Sequence, residues 1–546
     1  MTKPTFRFPL PKTFRVSQTL KVWLLRRGVG LVLLLSVVAG LQLAAIGRAA
    51  ADAPGPWPPP LPKSALPDTA SRAAADTVDR AAATPALVDL AGLYPLQDVA
   101  QVVAGAGHTC ALLTNGGVKC WGRNNYGQLG DGTITANPIP VDVVGLASGV
   151  AALSAGWGHT CALLTGGGVK CWGYNDSGQL GDGTTTFRAT PVPVSGLSSG
   201  VRALAAGWYH TCALTSGGGV RCWGWNGDGQ LGDETTTNQL APVAATGLES
   251  GVSALAAGAS HTCALTTSGG VQCWGSNASG QLGDGTTTSR ATPVAVVGLS
   301  SGVSALAAGA SHTCALLTGG GIQCWGANGF GQLGDGTTTD SLTPVAVAGL
   351  SSGVSALDTQ SFHTCALLTG GGVQCWGNND FGQLGDGTTL TRLAPVAVTG
   401  LSSGVSALAV GYFHTCGVMH DGSAQCWGAN DAGQLGDGIA WRTTPGDVLT
   451  ACFALARSHT GAGADPTVAP ARTIGCPPDL YAAGQALTLT ASPAAGWRVA
   501  GWRGTAVDSR ATLTNTLVMP AADASAAVDY VAVRYTVYLP VLFSDR

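Results

Sequence analysis

Apolar positions along this chain come in short runs broken by glycine, and the runs return at a fixed interval. Val150-Ala-Ala-Leu153 leads to Cys161-Ala-Leu-Leu164, a turn Thr165-Gly-Gly-Gly168, and then Val169-Lys-Cys-Trp172. A glycine-rich loop holding Gly178-Gln-Leu-Gly-Asp182 precedes Pro191-Val-Pro-Val194. Short runs bounded by turn residues, with no helical spacing of apolar positions, predict four β-strands. His-Thr-Cys recurs at 108–110, 159–161, 210–212, 261–263, 312–314, 363–365 and 414–416, always 51 residues on. Cys-Trp-Gly keeps that step from Cys120 to Cys426, and Gly-Gln-Leu-Gly-Asp keeps it from Gly127 to Gly433. Seven such units predict an all-β chain folded as a seven-bladed β-propeller of four-stranded blades. A β-solenoid is the alternative, but its coils are usually shorter, and ring closure accounts for the lack of a polar capping repeat.

His-Thr-Cys-Ala-Leu, Cys-Trp-Gly-x-Asn and Gly-Gln-Leu-Gly-Asp-Gly-Thr together resemble the regulator of chromosome condensation (RCC) propeller repeat, in its bacterial secreted branch. The resemblance covers residues 84–450 and implies a seven-bladed platform for binding proteins. Members of that family include a nucleotide-exchange factor, a plant ultraviolet receptor and a secreted β-lactamase inhibitor, so the family implies fold rather than one function. Two segments compete for the last strand. Pro85-Ala-Leu-Val-Asp-Leu90 and Pro445-Gly-Asp-Val-Leu449 both resemble the Pro-Val-x-Val strand, and the first, the better match, is expected to close the last blade. Further on, Tyr481 to Trp502, Leu517-Val-Met-Pro520 and Ala526-Ala-Val-Asp-Tyr530 resemble a divergent internalin-type B-repeat.

The net charge of −3 hides a segregation. Residues 1–51 hold eight Lys/Arg and no Asp/Glu, which leaves 19 basic against 30 acidic residues in the remainder. That acidic body excludes an electrostatic case for nucleic acid or anionic lipid. Lys3 to Arg27, the uncharged stretch Gly28 to Gly47, and Ala49-Ala50-Ala51 read as an export signal. The stretch nearly matches a membrane span, so a cleaved signal peptide and a signal anchor both remain open. Either places the rest outside the cytoplasm, extracellular or in the cell envelope. The expected domains are 1–51 signal, 52–83 Pro/Ala-rich linker, 84–450 propeller, 451–535 B-repeat-like β module and 536–546 apolar tail.

Sixteen cysteines divide into seven pairs ten residues apart, plus Cys452 and Cys476. In an exported chain this predicts disulfides Cys110–Cys120, Cys161–Cys171, Cys212–Cys222, Cys263–Cys273, Cys314–Cys324, Cys365–Cys375, Cys416–Cys426 and Cys452–Cys476. The pairs within hairpins share a face only if the hairpin loop has an odd number of residues. Unpaired buried thiols and a zinc site with the neighbouring histidine are the alternatives, though no fourth ligand recurs. The seven repeated histidines serve every blade alike, so each is expected to hydrogen-bond a turn of its own blade rather than to act in catalysis. Trp121, Trp172 and their equivalents are expected core fillers, and Asp182 is expected to fix its loop rather than bind calcium. Glu234 and Ile439 stand where glycine and threonine stand in the other units.

Function is expected where the blades differ. The turns before His-Thr-Cys carry Trp157, Trp208, Tyr209, Phe362, Tyr412 and Phe413, with small residues in the fourth and fifth units. Aromatics on turns suit a binding face, and they equally suit caps over a central channel. The expectation is a monomeric scaffold that binds a protein or glycan, with no cofactor, metal or catalytic residue. The membrane would enter only through an uncleaved N-terminal segment. The alternative is an extracellular propeller enzyme, a lyase or hydrolase acting on a glycan or small molecule, which would need single-occurrence acid, base or nucleophile residues in the turns.

Overall fold

The computed structural model describes residues 93–438, 441–506 and 511–533. The signal segment, the linker, Pro85–Leu90, Ile439 and the apolar tail lie outside the described residues. The chain is all-β, and its repeat units fold as four-stranded antiparallel blades. In the second unit, Val150–Ala155, His159–Leu164, Val169–Gly173 and Arg188–Pro193 pair in that order. Six other sheets repeat this order, from Val99–Ala104 at the start to Arg442–Asp447 at the end.

The hairpin turn is short because its glycine takes a conformation other residues avoid. Leu164 and Gly168 close a three-residue loop in which Gly167 has φ of +78°, and a Cβ there would sit 2.9 Å from Gly200 N. The odd loop brings Cys161 directly opposite Cys171. The middle strands are buried on both faces, since each blade is covered by the next. One core cluster joins Cys110, Leu112, Val118 and Leu129 of the first unit to Ala162 and Trp172 of the second. An equivalent cluster joins Cys416, Val418 and Leu435 of the last unit to Ala111 and Trp121 of the first.

The fourth strand of the last unit is Arg442–Asp447, which pairs with Ala424–Gly428 and corrects the expectation that Pro85–Leu90 fills that place. Gly446 spoils the Pro-Val-x-Val pattern, yet the contact that starts the strand is kept. Arg442 Nε donates to Asp437 at 2.5 Å, as Arg188 Nε donates to Asp182 at 2.9 Å. The ends of the repeat region meet differently, through Leu93–Pro95 paired antiparallel with Leu449–Ala451 and through Leu96 N on Val448 O at 2.7 Å.

Two further sheets follow. One orders Leu480–Tyr481, Phe453–Thr460, Ala524–Ala532 and Trp497–Arg503, and the other orders Gly463–Ala469, Ala486–Pro493 and Thr514–Val518. Leu487, Leu489, Val499, Trp502, Val528 and Tyr530 form their shared core. The module is bound to the start of the first blade, where Arg472 meets Asp98 and Gly475 O accepts from Gln97 N at 3.2 Å.

Candidate functional site

Each blade has two ends. The turn before His-Thr-Cys and the long loop after Cys-Trp-Gly share one of them, because Gly173 lies opposite His159 and Tyr174 N donates to Gly158 O at 2.8 Å. We call this the turn end and the other the hairpin end.

Beneath the turn end runs a network that joins blade to blade. His159 Nε2 lies 2.9 Å from Thr211 Oγ1 of the next unit, and the series closes with His414 Nε2 2.8 Å from Thr109 Oγ1. This corrects the expectation that each histidine serves its own blade. The reason is steric. The Cε1–Nδ1 edge of the imidazole packs against the glycine of its own turn, where a Cβ at Gly156 would be 2.3 Å from His159 Cε1, which leaves Nε2 to reach across the interface. Thr211 Oγ1 donates its one proton to Gln179 O at 2.9 Å, and Trp223 Nε1 donates to the same carbonyl at 2.9 Å. The hydroxyl can then only accept from the histidine, which assigns the Nε2–H tautomer and leaves Nδ1 unprotonated. Burial pushes these imidazoles down to about 3, or about 4 for His261, so they are neutral in ordinary solution.

The repeated Gly-Gln-Leu-Gly-Asp loop is held from within. Asp182 accepts from Thr184 N at 3.0 Å and from Asn175 Nδ2 at 3.2 Å, and Asn175 Oδ1 in turn accepts from Leu180 N at 2.9 Å. All sixteen cysteines are joined as eight disulfides, seven within hairpins and Cys452–Cys476 in the C-terminal module, so none offers a thiolate to a metal.

The six turn aromatics are all half-buried and fall into two groups. Trp157 and Tyr209, with ring centroids 5.5 Å apart, pack with Tyr126 and Tyr174 of the adjoining loops. Trp208, Phe362, Tyr412 and Phe413 gather elsewhere. Trp208 of the third unit lies 5.1 Å from Tyr412 of the seventh, which lies 5.9 Å from Phe362 and 4.3 Å from Phe413. Trp208 Nε1 also reaches Gln360 O at 3.4 Å, and Gln360 Nε2 crosses to Ala155 O at 2.9 Å. These bonds and ring contacts link the second, third, sixth and seventh units over a channel of about 310 Å³ lined by the first strands of the blades.

Asp358 lines that channel and was not among the residues expected to matter. Its carboxylate accepts from Val410 N at 2.7 Å and Thr359 N at 2.9 Å, while burial pushes it up to about 6. The signal was available one column earlier than the turns: Asp358-Thr-Gln360 stands where the fourth and fifth units have Ala-Ala-Gly.

Comparison with known families gives the fold a place. The RCC1-like domain family matches residues 198–484, and RCC1 repeats match within 99–214. The chain belongs to the RCC1-like family. It is 35% identical to the Arabidopsis thaliana ultraviolet-B receptor UVR8, over 63% of this chain and 80% of the receptor. It is also 32% identical to the human E3 ubiquitin-protein ligase HERC2 over 58% of this chain, a stretch that is only 7% of the ligase. Among solved structures, human WBSCR16 superposes with a TM-score of 0.54 at 25% identity, covering 59% of this chain and 87% of that one. Yeast RCC1 (Prp20), solved bound to Kap60, superposes with a TM-score of 0.54 at 22% identity, covering 65% and 85%, a likeness of fold. Residues 468–534 of this RCC1-like chain match the divergent InlB B-repeat domain.

Proposed function

We propose that this RCC1-like chain is an exported or cell-surface interaction scaffold, not an enzyme. In this reading residues 84–450 close into one seven-bladed ring, residues 451–535 form a B-repeat-like module, and a protein or glycan partner binds through aromatic turns at the turn end. The observation that carries it is the contrast between frame and surface. His, Thr, Gln and Trp bond one another in the same pattern inside every interface, whereas Trp157, Tyr209 and their neighbours differ from blade to blade and gather above it. Half-buried aromatics on a rigid frame lose little entropy on binding, which is what a hot spot requires. The return of the histidine contact from His414 to Thr109 supports the closed ring. Cysteines joined throughout as disulfides and the B-repeat match support export.

A photo-crosslinking residue tests the reading when placed at Trp157, and separately at Ser300 of the hairpin end, in producing cells. Cross-links to one partner from position 157 alone are expected. Equal cross-linking from both positions, or from Ser300 alone, would put the partner elsewhere.

A further inference from the structure

The end that carries the aromatic turns is also where negative charge collects. The loops of the turn end, residues 123–136 and their equivalents through 429–441, hold thirteen Asp/Glu and one cation, Arg123. The loops of the hairpin end hold three acids, Asp98, Glu249 and Asp421, the first of them paired with Arg472, and no Lys or Arg of their own. Seven of the thirteen are the repeated loop aspartates, and four of these are paired with Arg188, Arg290, Arg392 and Arg442 at the entrance of the following strand. The other six occur outside the repeat: Asp176, Asp228, Glu234, Asp340, Asp380 and Asp431. Frame requirements explain the seven by symmetry, but not the six.

Three of these, Asp176, Asp380 and Asp431, occupy one column of the repeat and are exposed, Asp176 beside the Tyr174 ring. Tyr174 OH donates to Asp176 at 2.9 Å, and Asp431 lies 3.5 Å from Arg123. The rings themselves leave no cage. Tyr126 and Tyr174 are 4.7 Å apart and Trp157 and Tyr174 5.8 Å, each pair in edge contact, so the rings pack on one another rather than around a hole for a small ammonium ion. A planar cation on a long side chain can lie against an outward ring face of such a cluster while carboxylates at its rim take the charge.

We propose that the turn end binds a cationic segment of a partner protein, rich in arginine and lysine. This rests on the reading of the turn end as the binding face. The surplus carboxylates steer the segment in and set its orientation, and the aromatics hold it.

The test uses the full disulfide-bonded chain, an arginine-rich synthetic peptide, its glutamate-substituted counterpart and a neutral oligosaccharide, titrated by calorimetry at low salt. The arginine peptide is expected to bind, with affinity falling as salt rises. Asp176→Asn/Asp380→Asn/Asp431→Asn should weaken it about tenfold, a sum of three exposed ion pairs. Asp142→Asn/Glu249→Gln/Asp447→Asn, the same charge change toward the hairpin end, should change it less than about twofold. Equal weakening by both triple variants would reduce the effect to net charge and overturn the proposal, as would no binding of the arginine peptide. If instead the oligosaccharide binds and Trp157→Ala/Tyr209→Ala abolishes it, the binding face stands and the cationic partner falls. If neither ligand responds to the aromatic or the acidic variant, both fall.

Discussion

Arg472 grips both carboxylate oxygens of Asp98, a residue 374 positions earlier in the chain. Gly475 N donates to the same carboxylate at 3.2 Å, and Arg472 also reaches Cys476 O at 2.6 Å, beside the Cys452–Cys476 bond. The C-terminal module is thereby fastened at the place where the first and last blades meet.

Removing that grip should loosen the junction without unfolding the blades. The hydrogen bond from Arg472 holds the Asp98 carboxyl below its usual range. A depressed carboxylate contributes stability that is complete above its unfolded value, near pH 4, and lost as pH falls through the folded one. Because both groups are partly exposed, Arg472→Ala is expected to cost about 1 kcal/mol at neutral pH. Hydrogen exchange at Leu449–Ala451 should quicken while exchange in the His-Thr-Cys strands does not. Unchanged exchange at the junction would show that the pair carries no load.

The histidine network predicts coupling between blades. His159→Ala and Thr211→Val should each destabilise the protein by about 2–4 kcal/mol, through a cavity and an unpaired buried group. The double variant should cost less than the sum, because the same bond is lost twice. Additive costs in denaturant titrations would mean that the contact is not shared.

Acid should weaken the protein well above the range where exposed carboxylates protonate. A histidine lowered to about 3 in the fold stays unprotonated while its unfolded counterpart takes up a proton. Stability is then complete above about pH 6.5 and falls by about 1.4 kcal/mol per pH unit per histidine below it. Asp358, raised to about 6, runs the other way: its contribution is present below pH 4 and lost between pH 4 and 6. With seven histidines against one aspartate, melting temperature should drop from pH 7 to pH 5. A rise over that interval would refute the neutral buried network.

Glu234 has φ of 67° where its equivalents Gly183 and Gly285 have 81° and 78°. A Cβ meets nothing within 4 Å at either glycine, so the cost is in the backbone alone. Glu234→Gly should raise stability by up to about 1 kcal/mol, measured by chemical denaturation. A loss of stability would mean that the Glu234 side chain makes a contact worth more than the strain.

What the amino-acid sequence determined by itself was most of what lies within one repeat. Strand order follows from apolar runs and glycine turns, and the pairing of Cys161 with Cys171 follows from a ten-residue spacing across an odd loop. Such contacts depend on the period of a strand and the length of a turn, both of which are local. Contacts between units depend on how rigid blades lean on one another, and no local period records that. Only the tertiary structure decided that His159 bonds Thr211 of the next blade, and that Trp208 meets Tyr412 across the channel. It alone showed Arg442–Asp447 to be the last strand and set Arg472 against Asp98. The split of the aromatics into two groups belongs to the same class, because the curvature that brings blades together is a sum over the whole assembly rather than a property of any one repeat.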